Sequence, residues 1–279
     1  MPTPVLSEVL TLPPQLTSHR VDLTHSSIFY QQGGVQFDQT PILFLHGWGI
    51  STDPYQEILE LLAQKHPVLA PDLPSFARSS YSQLIPDYES YAQLLIQFLD
   101  VLGLKQVHLA GHSLGGGLAI AIAALAPERV KSAVLIGSTG IPVESILQIV
   151  PRRAIEMTVQ TFLPRLKLKF WDIPQAFTYN LLFNTGNVVW ALLLSLQADL
   201  RPLMPKVQAR CLLVWSDKDT TIPMEIAQEM ANTIPNAELT TVEEGCHEWG
   251  LWYPEKLTSI MLEFVTVVER ANSQVAVAL

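Results

Sequence analysis

Several features that mark other classes of protein are scarce or absent in this 279-residue sequence. It has only two cysteines, Cys211 and Cys246, so no disulfide framework is indicated. The N-terminus lacks a basic start followed by an apolar run, and no signal peptide is expected. No run of 18 apolar residues occurs, and the richest stretch, Val188–Leu196, is too short to span a bilayer. These absences favour a cytoplasmic location.

Positive charge is also scarce, with 17 basic residues against 26 acidic ones and a net charge of −9. Nucleic acids are polyanions, so this balance argues against a nucleic-acid partner. Hydrophobic residues make up 48% of the chain, enough for a sizeable core. The length fits one large α/β domain, alone or carrying an insertion.

Short apolar runs alternate with helical patterns along most of the chain. The predicted strands are Ile42–Leu45, Pro67–Ala70, Val107–Ala110, Ala133–Ile136, Cys211–Trp215 and Glu238–Val242. The predicted helices are Tyr88–Leu102, Leu114–Leu125, Met224–Thr233 and Pro254–Arg270. This alternation predicts an α/β fold, with a parallel sheet that is covered by helices on both faces.

The alternation stops between Gly140 and Lys206, where no strand pattern occurs and six prolines separate helical patterns. We interpret this segment as a helical insertion over one end of the sheet. From Ile141 to Lys206 there are seven basic and four acidic residues, a net +3, so the rest of the chain carries −12. Within it, Arg165–Trp171 alternates basic and apolar residues. Such a patch fits contact with an anionic membrane surface, or side chains that snorkel around a small core.

A candidate nucleophile lies in the segment Gly111-His112-Ser113-Leu114-Gly115, between a predicted strand and a predicted helix. A serine hydroxyl is a weak nucleophile unless it is exposed and oriented toward a base. A tight strand-to-helix turn presents it in this way, and close packing there requires small residues two positions before and after it. The pattern arises by chance with a probability of roughly one in twenty. Its position between strand and helix makes Ser113 the candidate.

A second motif, His46-Gly47-Trp48-Gly49, follows the first predicted strand directly. Glycines at a strand end let the backbone pass close to a ligand. The backbone N–H groups of Trp48 and Leu114 are therefore candidates for an oxyanion hole. An ordinary glycine turn explains the motif equally well on local evidence.

A candidate carboxylate and a candidate base follow two later strands. Asp217 and Asp219 come after Cys211–Trp215, and we prefer Asp219 because Asp217 is expected to face solvent or cap a turn. Among the seven histidines, only His247 lies in a late loop after a strand. The chain order Ser, Asp, His is the order of an α/β-hydrolase triad.

Along almost its whole length, from about Thr24 to Arg270, the sequence resembles α/β-hydrolase fold proteins. The matching motifs are HGWG (His46–Gly49), PDLPSFARS (Pro71–Ser79), GHSLGG (Gly111–Gly116), PERVKSAVLIGS (Pro127–Ser138), WSDKDTTIP (Trp215–Pro223) and GCHEWGLWYPE (Gly245–Glu255). Three residues, in two segments, depart from the family pattern. Ser75 and Ala77 stand where two glycines are usual, and Ser216 stands where glycine is frequent.

The resemblance implies a mostly parallel, doubly wound sheet of the eight-stranded type with helices on both faces. It implies a core formed by residues 1–139 and 207–279, with residues 140–206 as a helical cap. The implied site consists of a catalytic triad and two oxyanion-hole N–H groups: Ser113, His247, Asp219, Trp48 and Leu114. No cofactor and no metal are expected.

The expected reaction is hydrolysis of an ester or related acyl bond through an acyl-enzyme. The cap is rich in aromatic and aliphatic residues, more than a small helical unit buries internally, so we expect a hydrophobic or lipid-like substrate. The same fold also implies alternatives: a carbon–carbon bond hydrolase, a thioesterase, an acyltransferase or a cofactor-free haloperoxidase. A ligand-binding receptor with vestigial catalysis is a hypothesis of a different class.

Overall fold

The computed structural model describes residues 15–34, 39–143, 172–243 and 245–277. One twisted sheet runs through this part of the chain, and its main strand order is β1-β2-β4-β3-β6-β7-β8-β9. The strands are β1 Thr17–Leu23, β2 Ser26–Gly33, β3 Ile42–Leu45, β4 Val68–Pro71, β5 Ser80–Tyr81, β6 Val107–His112, β7 Val130–Ile136, β8 Arg210–Ser216 and β9 Ala237–Val242. β3, β4 and β6 to β9 pair in parallel with one another, whereas β2 pairs antiparallel with β1, β4 and the two-residue β5. The sheet is therefore mostly parallel, as predicted.

Helices cover both faces of the sheet. They are α1 Gln56–Ala63, α2 Tyr88–Val101, α3 Leu114–Leu125, α4 Asp172–Phe183, α5 Thr185–Gln197, α6 Met224–Thr233, α7 Trp249–Trp252 and α8 Pro254–Val277. On one face, apolar side chains of α2, α3 and α6 form the larger cluster of buried residues. On the other face, α1 and α8 pack against the sheet through residues such as Leu59 and Met261. This two-faced burial explains why the central strands read as continuous apolar runs.

Strand and helix bounds agree with the sequence predictions to within a few residues in the parallel half of the fold. The helices over Leu114–Leu125 and Met224–Thr233 have the predicted limits. The last helix extends to Val277 rather than Arg270. Counting β5, the described sheet has nine strands, where the eight-stranded type was expected.

The antiparallel strands β1 and β2 and the helix α1 were not predicted. β1 is an edge strand with five of its seven residues exposed, and in TSHRVDL the apolar residues Val21 and Leu23 are only partly buried against the core. Its pairing with β2 spans seven residue pairs from Thr17–Gln32 to Leu23–Ser26. Edge strands of this kind carry little hydrophobic alternation, which is the signal that sequence reading depends on.

Helices α4 and α5 belong to the segment predicted as a helical insertion, between β7 and β8. The backbone N–H of Leu200 donates to the Gly140 carbonyl at 2.7 Å, and that of Val143 donates to the Leu196 carbonyl at 3.1 Å. These hydrogen bonds join the two ends of the segment where it leaves the sheet. The basic and apolar stretch Arg165–Trp171 lies outside the described residues.

Across the described ranges, none of the helices combines the length and the apolar character needed to cross a membrane.

Candidate active site

Ser113 lies at a sharp turn between β6 and α3. Its backbone has φ 55° and ψ −117°, a conformation that L-residues rarely adopt. The N–H of Ser113 donates to the Ile136 carbonyl at 2.9 Å, and its own carbonyl accepts from the N–H groups of Gly116 and Thr139 at 2.9 and 3.1 Å. These bonds hold the strained turn in place, as nucleophile-bearing turns require.

The glycines around Ser113 are required by close backbone contacts. A Cβ atom on Gly111 would lie 2.2 Å from the carbonyl oxygen of Gly115. A Cβ on Gly115 would lie 2.2 Å from the carbonyl oxygen of Leu45 in β3. Real Cβ atoms essentially never come so near to a backbone oxygen. The sequence prediction that both positions exclude side chains agrees with this geometry.

Ser113, His247 and Asp219 form one hydrogen-bonded row. The Nε2 atom of His247 is 2.9 Å from the Ser113 Oγ atom, and its Nδ1 atom is 2.8 Å from Asp219 Oδ2. His247 and Asp219 are 3% and 7% exposed. Asp217, by contrast, is exposed, as expected.

The Asp219 carboxylate is fixed by its own loop. Its Oδ1 atom accepts from the backbone N–H groups of Thr221 and Ile222 at 2.9 and 2.8 Å. Oδ2 is thereby directed at His247. Because a carboxylate only accepts, the His247 Nδ1 atom carries the proton in this contact, and the Nε2 lone pair faces Ser113.

The loop after β3 passes beside the serine. A Cβ atom built on Gly47 would lie 3.6 Å from Ser113 Cβ, which brings the Trp48 backbone to the same side of the site. Leu114 is the first residue of α3, where backbone N–H groups lack acceptors within the helix. The structure therefore brings together all five predicted site residues or the loops that carry them.

His46, in the same loop, has a structural role in this geometry. Its Nδ1 atom is 2.7 Å from the Gly47 carbonyl, and its Nε2 atom accepts from the Leu73 N–H at 2.8 Å. It is fully buried, and burial lowers the pKa of its imidazole. A neutral His46 thus fastens this loop to the segment that follows β4.

A segment after β4 carries two of the residues that depart from the family pattern. Ser75 and Ala77 have φ values of 69° and 45°, the left-handed region that favours glycine. The side chain of Asp72 in this segment accepts from Arg78 Nε at 2.7 Å and from the Thr52 N–H at 3.0 Å. Burial acts to raise the pKa of Asp72, but the contacts with Arg78 lower it overall.

Helices α4 and α5 contact the loop after β3 and the segment after β4. Asn180 of α4 is fully buried and donates through Nδ2 to the carbonyls of Gly49 and Ile50 at 3.1 and 3.2 Å. Its Oδ1 atom accepts from the Ala77 N–H at 2.5 Å. The indole N–H of Trp48 donates to the Val188 carbonyl of α5 at 2.6 Å. The inserted helices are thus bonded to the backbone beside the serine.

A second polar cluster lies at the opposite edge of the sheet. His108 Nε2 contacts Glu269 Oε1 at 2.9 Å, Lys131 Nζ contacts Glu269 Oε2 at 2.6 Å, and His66 Nε2 contacts the Thr40 carbonyl at 2.6 Å. His66 lies in the loop after α1 and is 7% exposed. His66, His108 and Glu269 could supply three metal ligands by distance. These side chains already form hydrogen bonds and an ion pair, which connect α8 to the sheet.

Comparison with known proteins places these features in one family. A family model described as "alpha/beta hydrolase fold" matches residues 40–180, which is half of the chain. The chain belongs to the α/β-hydrolase fold family.

Named relatives of this α/β hydrolase cover most of its length. It is 27% identical over 263 residues to the uncharacterized hydrolase YugF of Bacillus subtilis, covering 85% of this chain and 92% of that protein. It is 26% identical over 256 residues to a 2-hydroxy-6-oxononadienedioate/2-hydroxy-6-oxononatrienedioate hydrolase of Dechloromonas aromatica, covering 81% and 86%. The curated relatives therefore share the fold but differ in their named reactions.

Solved structures of other proteins share the same fold. A membrane phospholipase A described as a bacterial virulence factor superposes with a TM-score of 0.79 at 26% identity, covering 91% of this chain and 87% of the other. A putative lipase of Acinetobacter baumannii AYE also gives 0.79, at 22% identity and with coverage of 92% and 93%. The second likeness, at this identity, concerns the fold alone.

Two contact residues of this α/β hydrolase were missed from the sequence. Asn180 lies 131 positions beyond Gly49, and no local pattern marks it. Tyr55, whose hydroxyl accepts from the Gly47 N–H at 3.1 Å, is the last residue of a proline-containing turn after the glycine motif. The short spacing between HGWG and an aromatic residue before α1 was the available signal for Tyr55.

Proposed function

We propose that this protein is a serine hydrolase that cleaves an ester or related acyl bond, with Ser113 as nucleophile, His247 as base and Asp219 as the orienting carboxylate. One observation carries the proposal: the continuous row from Ser113 Oγ to His247 Nε2 and from His247 Nδ1 to Asp219 Oδ2, at 2.9 and 2.8 Å. Both ring nitrogens of one buried histidine are used, each by the partner that this chemistry needs.

The proposed first step is acylation. His247 accepts the Ser113 hydroxyl proton at Nε2 while Oγ forms a bond to the substrate carbonyl carbon. The carbonyl oxygen becomes an oxyanion, which accepts hydrogen bonds from the backbone N–H groups of Trp48 and Leu114. The Asp219 carboxylate stabilises the imidazolium that forms.

Collapse of this intermediate breaks the bond to the leaving group, which takes the proton from His247 Nε2. A water molecule then attacks the acyl carbonyl, and His247 accepts one of its protons. Breakdown of the second intermediate releases the acid and returns the proton to Ser113. Each step uses side chains and backbone groups of this chain.

We propose residues 140–206 as a cap that selects the substrate. The bonds from Asn180 and Trp48 seat α4 and α5 next to the Ser113 loops. The exposed large apolar side chains include four on α4, Tyr179, Leu181, Leu182 and Phe183. A lipid-like ester fits this apolar environment, and a similar structure is named as a phospholipase A. Peripheral membrane contact and a cytoplasmic location stay predictions.

A second candidate reaction comes from the relatives. Several are named 2-hydroxy-6-oxo-dienoate hydrolases, a class of carbon–carbon bond hydrolases. The same Ser–His–Asp row would serve that chemistry. An assay with such a dienoate beside an ester panel separates the two candidates.

Labelling with a fluorophosphonate probe tests the nucleophile. The wild-type protein and the Ser82→Ala variant, which changes an exposed serine, should be labelled equally, and Ser113→Ala should not be labelled. A p-nitrophenyl ester series should then show higher kcat/KM for medium-chain than for acetyl esters. Labelling of Ser113→Ala at the wild-type rate would overturn the nucleophile. A clear preference for acetate would overturn the lipid-like substrate.

A further inference from the structure

A buried hydrogen-bonded chain links the three loops that carry the proposed catalytic groups. The Gly47 N–H donates to the Tyr55 hydroxyl at 3.1 Å, and the hydroxyl lies 2.7 Å from His112 Nδ1. The other ring nitrogen, His112 Nε2, lies 3.0 Å from the backbone carbonyl oxygen of His247. This hydrogen-bonded chain therefore runs from the loop after β3, through the turn after β6, to the loop after β9.

For a neutral His112 ring, chemistry fixes the direction of each bond in this hydrogen-bonded chain. A backbone carbonyl only accepts, so His112 Nε2 carries a proton and donates to His247. In the neutral ring Nδ1 then accepts, so the Tyr55 hydroxyl donates to it. The Tyr55 oxygen accepts from Gly47, whose backbone N–H only donates. All these contacts agree with a single tautomer of a neutral His112.

Each end of the hydrogen-bonded chain lies next to a proposed catalytic group. Gly47 precedes Trp48, whose N–H is proposed for the oxyanion hole. His112 precedes Ser113 directly, and the last acceptor is the backbone of the proposed base itself. The side chains of Tyr55 and His112 thus connect the residue before Trp48, the residue before Ser113 and the main chain of His247.

Burial keeps this chain free of competition from solvent. Tyr55 is 2% exposed and His112 is 6% exposed. The Tyr55 ring packs against Phe44 of β3, with centroids 4.9 Å apart, and the His112 ring lies 5.0 Å from that of His247. In such surroundings a lost hydrogen bond leaves its partner unsatisfied, and the loops must move to recover it.

We propose that Tyr55 and His112 are positioning residues, which set the distance between the oxyanion-hole loop, the nucleophile turn and the base loop. In this role neither side chain takes the Ser113 proton. Their effect is exerted through Gly47, the turn at Ser113 and the backbone of His247. The proposal rests on the proposed serine-hydrolase function.

The expected consequence is a loss of turnover without a loss of substrate binding. Tyr55→Phe deletes one oxygen and keeps the ring, so kcat should fall about 10-fold while KM stays within about twofold, since loop misplacement mainly affects the transition state. The rate of fluorophosphonate labelling at Ser113 should fall by a similar factor. Tyr91→Phe is the matched control, because it deletes another buried hydroxyl, in α2.

Substitution of His112 separates positioning from packing. Glutamine offers an amide oxygen to accept from Tyr55 and an N–H to donate to His247, whereas leucine fills space without either. We expect His112→Gln to keep more than about a third of wild-type kcat and His112→Leu to keep about a tenth or less. The double variant Tyr55→Phe/His112→Leu should be no slower than His112→Leu alone, because the two changes break one chain.

The outcomes distinguish this inference from the proposed function. If fluorophosphonate does not label the wild-type protein at Ser113, the proposed function fails. If the wild-type protein is labelled but Tyr55→Phe matches Tyr91→Phe in kcat and labelling rate, only the positioning role fails. Equal losses in His112→Gln and His112→Leu would also overturn it, as would a rise in KM with unchanged kcat.

Discussion

Asn180 is a buried contact between the inserted helices and the loops beside Ser113, and its removal should cost considerable stability. Asn180→Ala leaves the Ala77 N–H and the carbonyls of Gly49 and Ile50 without their amide partner. Each buried polar group left unsatisfied costs about 1–3 kcal/mol. Taking the lower end for all three groups, we expect the free energy of unfolding to fall by about 3 kcal/mol.

Urea unfolding followed by circular dichroism measures this change, with the slope m compared between variants. Gln175→Ala is the control, because Gln175 is exposed on the same helix and should change the unfolding free energy by less than about 0.5 kcal/mol. Asn180→Asp keeps an acceptor for Ala77 but sets a carboxylate oxygen against two carbonyls, so it should lose at least as much. A loss below about 1 kcal/mol in Asn180→Ala would refute the reasoning.

Two further predictions concern acid stability and backbone packing. Burial lowers the pKa of His108 to about 4, from 6.5. The contribution of this neutral histidine to the free energy of unfolding is therefore complete above pH 6.5 and declines as the pH falls toward 4. We expect about 2 kcal/mol to be lost between pH 7 and pH 5. Urea titrations should show a flatter pH dependence for His108→Gln, and an unchanged slope would contradict this origin. Gly115→Ala places a Cβ 2.2 Å from the Leu45 carbonyl oxygen, so we expect a loss of more than about 3 kcal/mol or no soluble protein. By contrast, Gly186→Ala, with open space around the new Cβ, should raise the melting temperature slightly; equal behaviour of the two variants would refute the packing argument.

The parts of the fold that sequence predicts well are those with strong local signals. β6 and α3 follow from an apolar run, a glycine-rich turn and an alanine-rich helix, so the position of Ser113 at the turn between them was predictable from its immediate neighbours. Asp219 and His247 follow strands in the same way. Because the carboxyl ends of parallel strands share one edge of a sheet, their meeting with Ser113 was predictable in outline.

The remaining contacts depend on tertiary structure and leave no local pattern. Asn180 is one polar residue in a helical stretch, and only folding brings it to the Gly49 carbonyl, 131 positions earlier. No local pattern marks His66 for burial, yet it lies buried beside His108 and Glu269, where α8 packs against the sheet. Ser75 and Ala77 take backbone conformations that their side chains disfavour, and the surrounding bonds maintain those conformations.

The hydrogen bonds between Gly140 and Leu200 and between Val143 and Leu196 have a consequence for how this protein can diversify. The polypeptide leaves the sheet after β7 and rejoins it at the neighbouring strand β8. The intervening segment is therefore a module whose two ends are held together by these hydrogen bonds. Changing its length adds only slowly to the entropy of loop closure. An exchanged module can therefore change the surroundings of Ser113 while the sheet stays the same, provided that it retains an amide at position 180 to meet the Gly49 and Ala77 backbones.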